Sequence, residues 1–116
     1  MTVKESEHRP WGRFDVFADD PHTKVKRLVV NPGQRLSYQS HERRGEHWVV
    51  VKGTATVTIN DRTRRYGYGT HINVLRGAKH RLANLGEEVL EVIEIQIGDY
   101  FGEDDIKRYQ DDHGRV

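Results

Sequence analysis

The stretch GQRLSYQSHERRGEHWVVVKG, residues 33–53, sets Gln39, His41 and Glu46 close together between two glycines. A second stretch, GTHINVLRGAKHRLAN, residues 69–84, carries His80 in a similar glycine frame. In an extended strand alternate side chains share a face, so Gln39 and His41 converge on one side. Gly45 turns the chain so that Glu46 returns to the same region, and His80 arrives from a later strand. Two imidazoles, one carboxylate and one amide oxygen make a mixed nitrogen and oxygen donor set for a single divalent ion. Zinc is the first choice, with cobalt, manganese, iron or nickel as alternatives, and an open shell leaves room for water or substrate. A lone His in a strand-rich chain is ordinarily exposed or hydrogen-bonded. Four ligand-type residues in two glycine-bounded frames read instead as one mononuclear site.

Outward from these frames, short extended runs separated by turn residues dominate from Phe14 to Gly98. The run His47–Asn60 reads as a hairpin broken at Gly53, its second half alternating Thr54, Thr56 and Thr58 with Ala55, Val57 and Ile59. Lys24–Val30 is a strand ending at the turn triplet Asn31-Pro32-Gly33, and Val89–Ile97 is the last clear strand. Strands at short intervals with almost no helical periodicity predict an all-β antiparallel sandwich or barrel. Only Gly102–Gln110 reads as a short C-terminal helix, with Glu103, Asp104 and Asp105 at its N-terminal end.

At 116 residues the chain is expected to form one domain, residues 1–116. Nineteen basic and eighteen acidic residues leave a formal charge of +1, which gives no case for nucleic acid as a partner. The absence of cysteine removes disulfides, thiolate nucleophiles and Cys-ligated metals from consideration. No stretch approaches the roughly twenty apolar residues of a membrane span, and the charged N-terminus carries no signal-like run, so a cytoplasmic protein with no membrane partner is expected. In the last strand Leu90, Val92, Glu94 and Gln96 share one face and Val89, Glu91, Ile93, Ile95 and Ile97 the other. An apolar outer face needs a cover, which points to a homodimer. If the Leu90 face is the inner one, Glu94 points into the barrel, where a carboxylate must be paired or used.

The two frames have the spacings of the two cupin motifs, and the likeness runs further. Arg9-Pro10-Trp11-Gly12, Lys26-Arg27, Pro32 to Ser37, Gln39 to His41, Arg44 to Val51, Gly77 to Leu82, Asn84 to Gly86, Glu94 to Gln96, Gly102 to Ile106, Arg108, Asp111 and Gly114-Arg115 together resemble the type II mannose-6-phosphate isomerase domain of the cupin superfamily. The likeness extends from about His8 to Arg115. It implies a cupin double-stranded β-helix, a jelly-roll barrel, and metal-dependent interconversion of mannose 6-phosphate and fructose 6-phosphate. It also implies metal ligands Gln39, His41, Glu46 and His80, with Arg44 and His47 important at the substrate site. In that family the cupin is commonly the C-terminal part of a bifunctional protein whose larger N-terminal domain makes GDP-mannose. Guanylyltransferase activity is therefore not expected here, and a separate guanylyltransferase is a candidate partner. Departures from the family pattern, His71-Ile72-Asn73, Leu75 in place of a proline and His113 in place of a tyrosine, bear on loop shape and substrate fit.

Isomerisation moves a proton between adjacent carbons through an enediol, so a base must reach the C2 proton of a hexose phosphate. Glu94 is the leading candidate, because burial would raise its pKa toward neutrality. His47 is the rival, with an ordinary pKa near neutral, although alternation sets it opposite Glu46 and Trp48. Arg44 and Arg81 are the first candidates for phosphate, with Lys26 and Lys79 next. Arg108 and Arg115 read equally well as structural ion pairs. Two other classes stay open: a non-catalytic cupin that holds a sugar or sugar nucleotide beside a polysaccharide-synthesis enzyme, and an iron oxygenase using His41, Glu46 and His80 as a facial set.

Overall fold

Three neighbouring strands change from apolar to polar at the same height. Going along β10 (Leu90–Gly98), the inward side chains run Leu90, Val92, Glu94, Gln96. Its antiparallel partners β3 (Thr23–Val30) and β5 (Arg44–Lys52) set Leu28 and Val50 beside Val92, Lys26 and Trp48 beside Glu94, and Lys24 and Glu46 beside Gln96. The barrel therefore has a dry end and a polar end, fixed by register. A slip of one residue would move every one of these side chains to the opposite face.

The computed structural model describes residues 1–114; Arg115 lies outside them. The remaining strands are β1 (Glu5–Arg9), β2 (Gly12–Asp19), β4 (Tyr38–His41), β6 (Ala55–Ile59), β7 (Arg62–Tyr66), β8 (His71–Val74), β9 (His80–Ala83) and β11 (Ile106–Gln110). They form two antiparallel sheets, β1-β2-β3-β10-β5-β8 and β11-β4-β9-β6-β7, which face each other. Between them Leu28, Val30, Val50, Ala55, Val57, Leu82, Leu90 and Val92 fill the dry end, and Trp11 and Phe14 carry the core to the polar end. No described helix is long and apolar enough to cross a membrane.

Two sequence expectations change. The run 47–60 is not one hairpin: β5 and β6 lie in different sheets, and Gly53, at φ 79°, carries the chain between them. A Cβ there would lie 2.9 Å from the Val89 carbonyl oxygen, so the crossing passes close against the backbone entering β10. The hairpin is instead β6–β7, closed by Asn60 and Asp61, both at positive φ, as the twist-compatible two-residue turn requires. The C-terminal helix is also absent. Glu103–Asp105 make one 3-10 turn, and residues 106–110 extend as β11 along β4. The acidic signal suits a turn as well as a helix, since Asp105 accepts from the Arg43 backbone N–H at 3.0 Å. The ladder with β4 decides the rest.

On the outer face of the larger sheet, buried Asp15 accepts from Ser6 Oγ (2.7 Å), Arg13 Nε (3.2 Å) and Arg27 Nε (2.9 Å). Burial pulls its carboxyl upward, but these three hydrogen bonds outweigh that and hold it below its ordinary value. Asp15→Asn should lower unfolding free energy by about 1–3 kcal/mol at neutral pH. A carboxylate with a lowered folded pKa stabilises above its unfolded pKa, and that contribution fades as pH falls through the folded value. In urea titrations the gap between parent and variant should close as pH drops below about 4.

Candidate metal centre

Strand alternation brings three metal-type side chains to the polar end. His41 ends β4, Glu46 sits near the start of β5 and His80 opens β9. All three are almost completely buried, and one ligand atom from each lies within 4.8 Å of the others. Glu46 is central, with its Oε2 3.7 Å from His41 Nε2 and its Oε1 3.7 Å from His80 Nε2.

The donor set fits a cation on three counts. His80 Nδ1 lies 3.0 Å from the Ala78 carbonyl, which only accepts, so Nδ1 carries the proton and Nε2 presents a lone pair. That Nε2 is buried with no hydrogen-bond partner among the described residues. Burial also holds both imidazoles neutral: His41 is pushed down to about 2, with Arg44 and His80 adding to the effect, and His80 is likewise lowered. Gln39 stands directly across the ladder from His80, half-buried, and lines a pocket together with Arg44, Glu94 and Gln96, its Oε1 accepting from Ser37 Oγ at 2.9 Å.

Arg44 is packed into this cluster rather than held out to solvent. Its guanidinium donates to Glu46 Oε2 (3.0 Å), the Phe101 carbonyl (3.2 Å) and His41 Nε2 (3.1 Å). The Leu90 face of β10 is the inner one, so Glu94 faces inward and is 6% exposed. Its Oε2 accepts from Trp48 Nε1 (3.1 Å) and its Oε1 from Gln96 Nε2 (2.7 Å). Trp48 Nε1 also reaches Glu46 Oε1 at 3.2 Å, so one indole joins both carboxylates. Burial, and behind it the Glu46 charge, pushes Glu94 up to about 7, against the pull of Lys26 and Arg44. The pocket over these groups is lined also by Arg9, Trp11, Phe14, Lys26 and Arg108.

Three sequence candidates point elsewhere. Arg81 alternates with His80 and so leaves the barrel; it donates to the Leu36 carbonyl and to Gln110. Lys79 sits over the Tyr109 ring at 4.6 Å, on the same outer side as Tyr38 and Ser40. His47 alternates with Glu46 and lies on the outer face, its Nδ1 3.0 Å from His71 Nε2. The centroids are 5.2 Å apart and the planes nearly parallel. A nitrogen contact that short at that centroid distance describes an edge-to-edge hydrogen bond, not a stack. Sequence reasoning gave no role to Trp48 or Gln96. Both were on the right face by alternation, but two carboxylates sharing a donor appear only once β5 and β10 are in register.

Residues 1–111 match the family described as mannose-6-phosphate isomerase, C-terminal. The chain belongs to this family. It is 46% identical over 109 residues to the mannose-1-phosphate guanylyltransferase ManC of Salmonella typhimurium, covering 94% of this chain and 23% of that one. The alginate biosynthesis protein AlgA of Pseudomonas aeruginosa gives the same identity and coverage. The chain thus spans about a quarter of the length of these curated relatives. Among solved structures, the capsular polysaccharide assembling protein CapF of Staphylococcus aureus superposes with a TM-score of 0.76 at 20% identity, covering 91% of this chain and 34% of that chain. A double-stranded β-helix protein of Klebsiella pneumoniae gives 0.75 at 17%, covering 95% and 89%. These likenesses establish the fold as the cupin double-stranded β-helix.

Elemental analysis after dialysis against zinc should find one ion per chain. His80→Ala should lower metal affinity by more than about 10-fold, by analogy with the effect of losing even an outer-shell partner. His47→Ala, on the outer face, should leave affinity at the parent value.

Proposed function

We propose that the protein interconverts mannose 6-phosphate and fructose 6-phosphate as a metal-dependent aldose–ketose isomerase. The observation that carries this reading is Glu94, a buried carboxylate pushed to about 7, held by Trp48 and Gln96 beside a His-Glu-His group. A base of that pKa accepts a carbon-bound proton and returns it at physiological pH. Family membership supports the substrate class.

His41, Glu46 and His80, with Gln39 alongside, would hold the ion, zinc by preference for two imidazoles and a carboxylate. When bound, it supplies Lewis-acid polarisation of the sugar oxygens. Glu94 takes the C2 proton of the open-chain aldose. The C2–H electron pair becomes the C1–C2 double bond, the carbonyl pair moves to O1, and O1 takes a proton, giving an enediol. In the return step O2 loses its proton, a carbonyl forms at C2, and the double-bond pair takes the proton from Glu94 at C1. Trp48 and Gln96 keep the carboxylate aimed through both halves, and Arg44 fixes Glu46 and His41. The phosphate goes to the basic mouth of the pocket. There Lys26 and Arg9 lie over the Phe14 ring at 4.2 and 5.0 Å, and Arg108 lines the same pocket. The guanylyltransferase activity named for the longer relatives is not assigned to these residues. A second copy of the chain covers the outer face formed by Val49, Ile93, Ile95 and Ile97, the last 43% exposed.

Coupled detection of fructose 6-phosphate from mannose 6-phosphate should show turnover that chelator abolishes. Glu94→Gln should lower kcat by about 10²–10⁴ with little change in KM, and Lys26→Ala should chiefly raise KM. Metal-loaded parent protein without turnover overturns the isomerase; saturable hexose-phosphate binding in that case identifies a binding module. Light scattering should give a dimer, and Ile95→Arg a monomer.

A further inference from the structure

Gln96 is the one side chain at the polar end whose two halves face different tasks. It is 1% exposed on β10, two residues beyond Glu94 on the same face, and it lines the pocket. Its amide nitrogen donates to Glu94 Oε1 at 2.7 Å. With Glu94 ionised, the form in which it acts as a base, that bond fixes which way the amide points, because the reversed amide would set two acceptor oxygens against each other. Its Oε1 is buried and has no hydrogen-bond partner among the described residues.

A buried carbonyl without a donor is costly, so a native protein supplies one from water or from a ligand, and at the lining of an open pocket a bound ligand reaches it. The chemistry of that ligand group is restricted. Gln96 Oε1 and Glu94 are both acceptors, so an anionic group is repelled here, while the cationic mouth at Arg9, Lys26 and Arg108 attracts one. A sugar phosphate has the required polarity, hydroxyl donors at one end and an anion at the other.

We propose that Gln96 is both the positioning residue for Glu94 and a substrate-contact residue, its Oε1 accepting a hydrogen bond from a hydroxyl next to the reacting carbons. The nitrogen side holds the base; the oxygen side selects a hydroxylated sugar carbon over a reduced one. The inference rests on the isomerase reading and deepens it.

The two roles separate in two variants. Gln96→Met keeps the size and removes both donor and acceptor; Gln96→Glu keeps an acceptor and removes the donor to Glu94. Each zinc-loaded protein is titrated calorimetrically with fructose 6-phosphate and with its 3-deoxy and 4-deoxy forms, and kcat and KM are measured for mannose 6-phosphate. Parent protein should bind fructose 6-phosphate about 10-fold more tightly than its 3-deoxy form, the scale of one buried hydrogen bond, with the 4-deoxy form as the control that keeps parent-like affinity. Gln96→Met should lose that preference, raise KM and lose at least about 10-fold in kcat, while Gln96→Glu should keep the preference and show only the loss of at least about 10-fold in kcat. Parent-like discrimination in a folded Gln96→Met, or parent-like kcat in Gln96→Glu, overturns the proposal and leaves the isomerase standing. If Gln96→Met fails to unfold cooperatively on heating, the Gln96→Glu arm alone decides. Parent protein that neither binds nor converts any of these sugars overturns the isomerase reading and this inference together.

Discussion

The interior of the polar end depends on one carboxylate. Glu46 is 1% exposed, and a charge so placed survives only if its neighbours satisfy it. Arg44 and Trp48 donate to its two oxygens, and the lone-pair nitrogens of His41 and His80 stand 3.7 Å away. Each neighbour is held in turn: Arg44 by Phe101, His80 by Ala78, and Trp48 by packing in the core. The arrangement is tight because every member is buried, so moving one would strand another. Such a cluster offers a cation fixed donors, and Arg44, which donates to His41 Nε2 and Glu46 Oε2, is a side chain that must turn aside to free them.

The same burial that constrains Glu46 differentiates Glu94. Both carboxylates share the Trp48 N–H, yet only Glu46 has a guanidinium donating directly to it. Glu94 has the indole and an amide, and it is the one pushed to about 7. Two carboxylates in one cavity with different partners differ in proton affinity, which suits one to remain a fixed anion and the other to the base role proposed for it. The mouth adds a third environment, cationic and backed by Phe14, suited to the charged end of a substrate.

Much of this was legible in the sequence, for a physical reason. Period-two alternation put Gln39 with His41 on one face of β4 and Leu90, Val92, Glu94 and Gln96 on one face of β10; which face of β10 is inner came only with the barrel, because both faces read as largely apolar. Alternation also spoke against His47, and the structure agrees by pairing it with His71 outside. Strand partnership was not legible. Nothing in 47–60 says that Gly53 crosses between sheets instead of closing a hairpin, since that depends on β5 pairing with β10 and β8 while β6 pairs with β9 and β7. Nor did the tail reveal itself, because three acids in a row suit a 3-10 turn as well as a helix, and only the free edge of β4 makes 106–110 extend. Arg81 and Lys79 flank His80 in sequence, and the neighbours of an inward residue on a strand leave its face, so both turn outward while Lys26 lines the pocket.

The central claim is that this buried cluster moves a proton between adjacent carbons of a sugar phosphate. Proton NMR of fructose 6-phosphate incubated in D2O with metal-loaded protein tests it most directly. The account predicts that mannose 6-phosphate signals grow, with deuterium entering at the exchanged carbon, and that both changes stop on addition of chelator. A fructose 6-phosphate spectrum that remains unchanged in the presence of metal-loaded protein would contradict it.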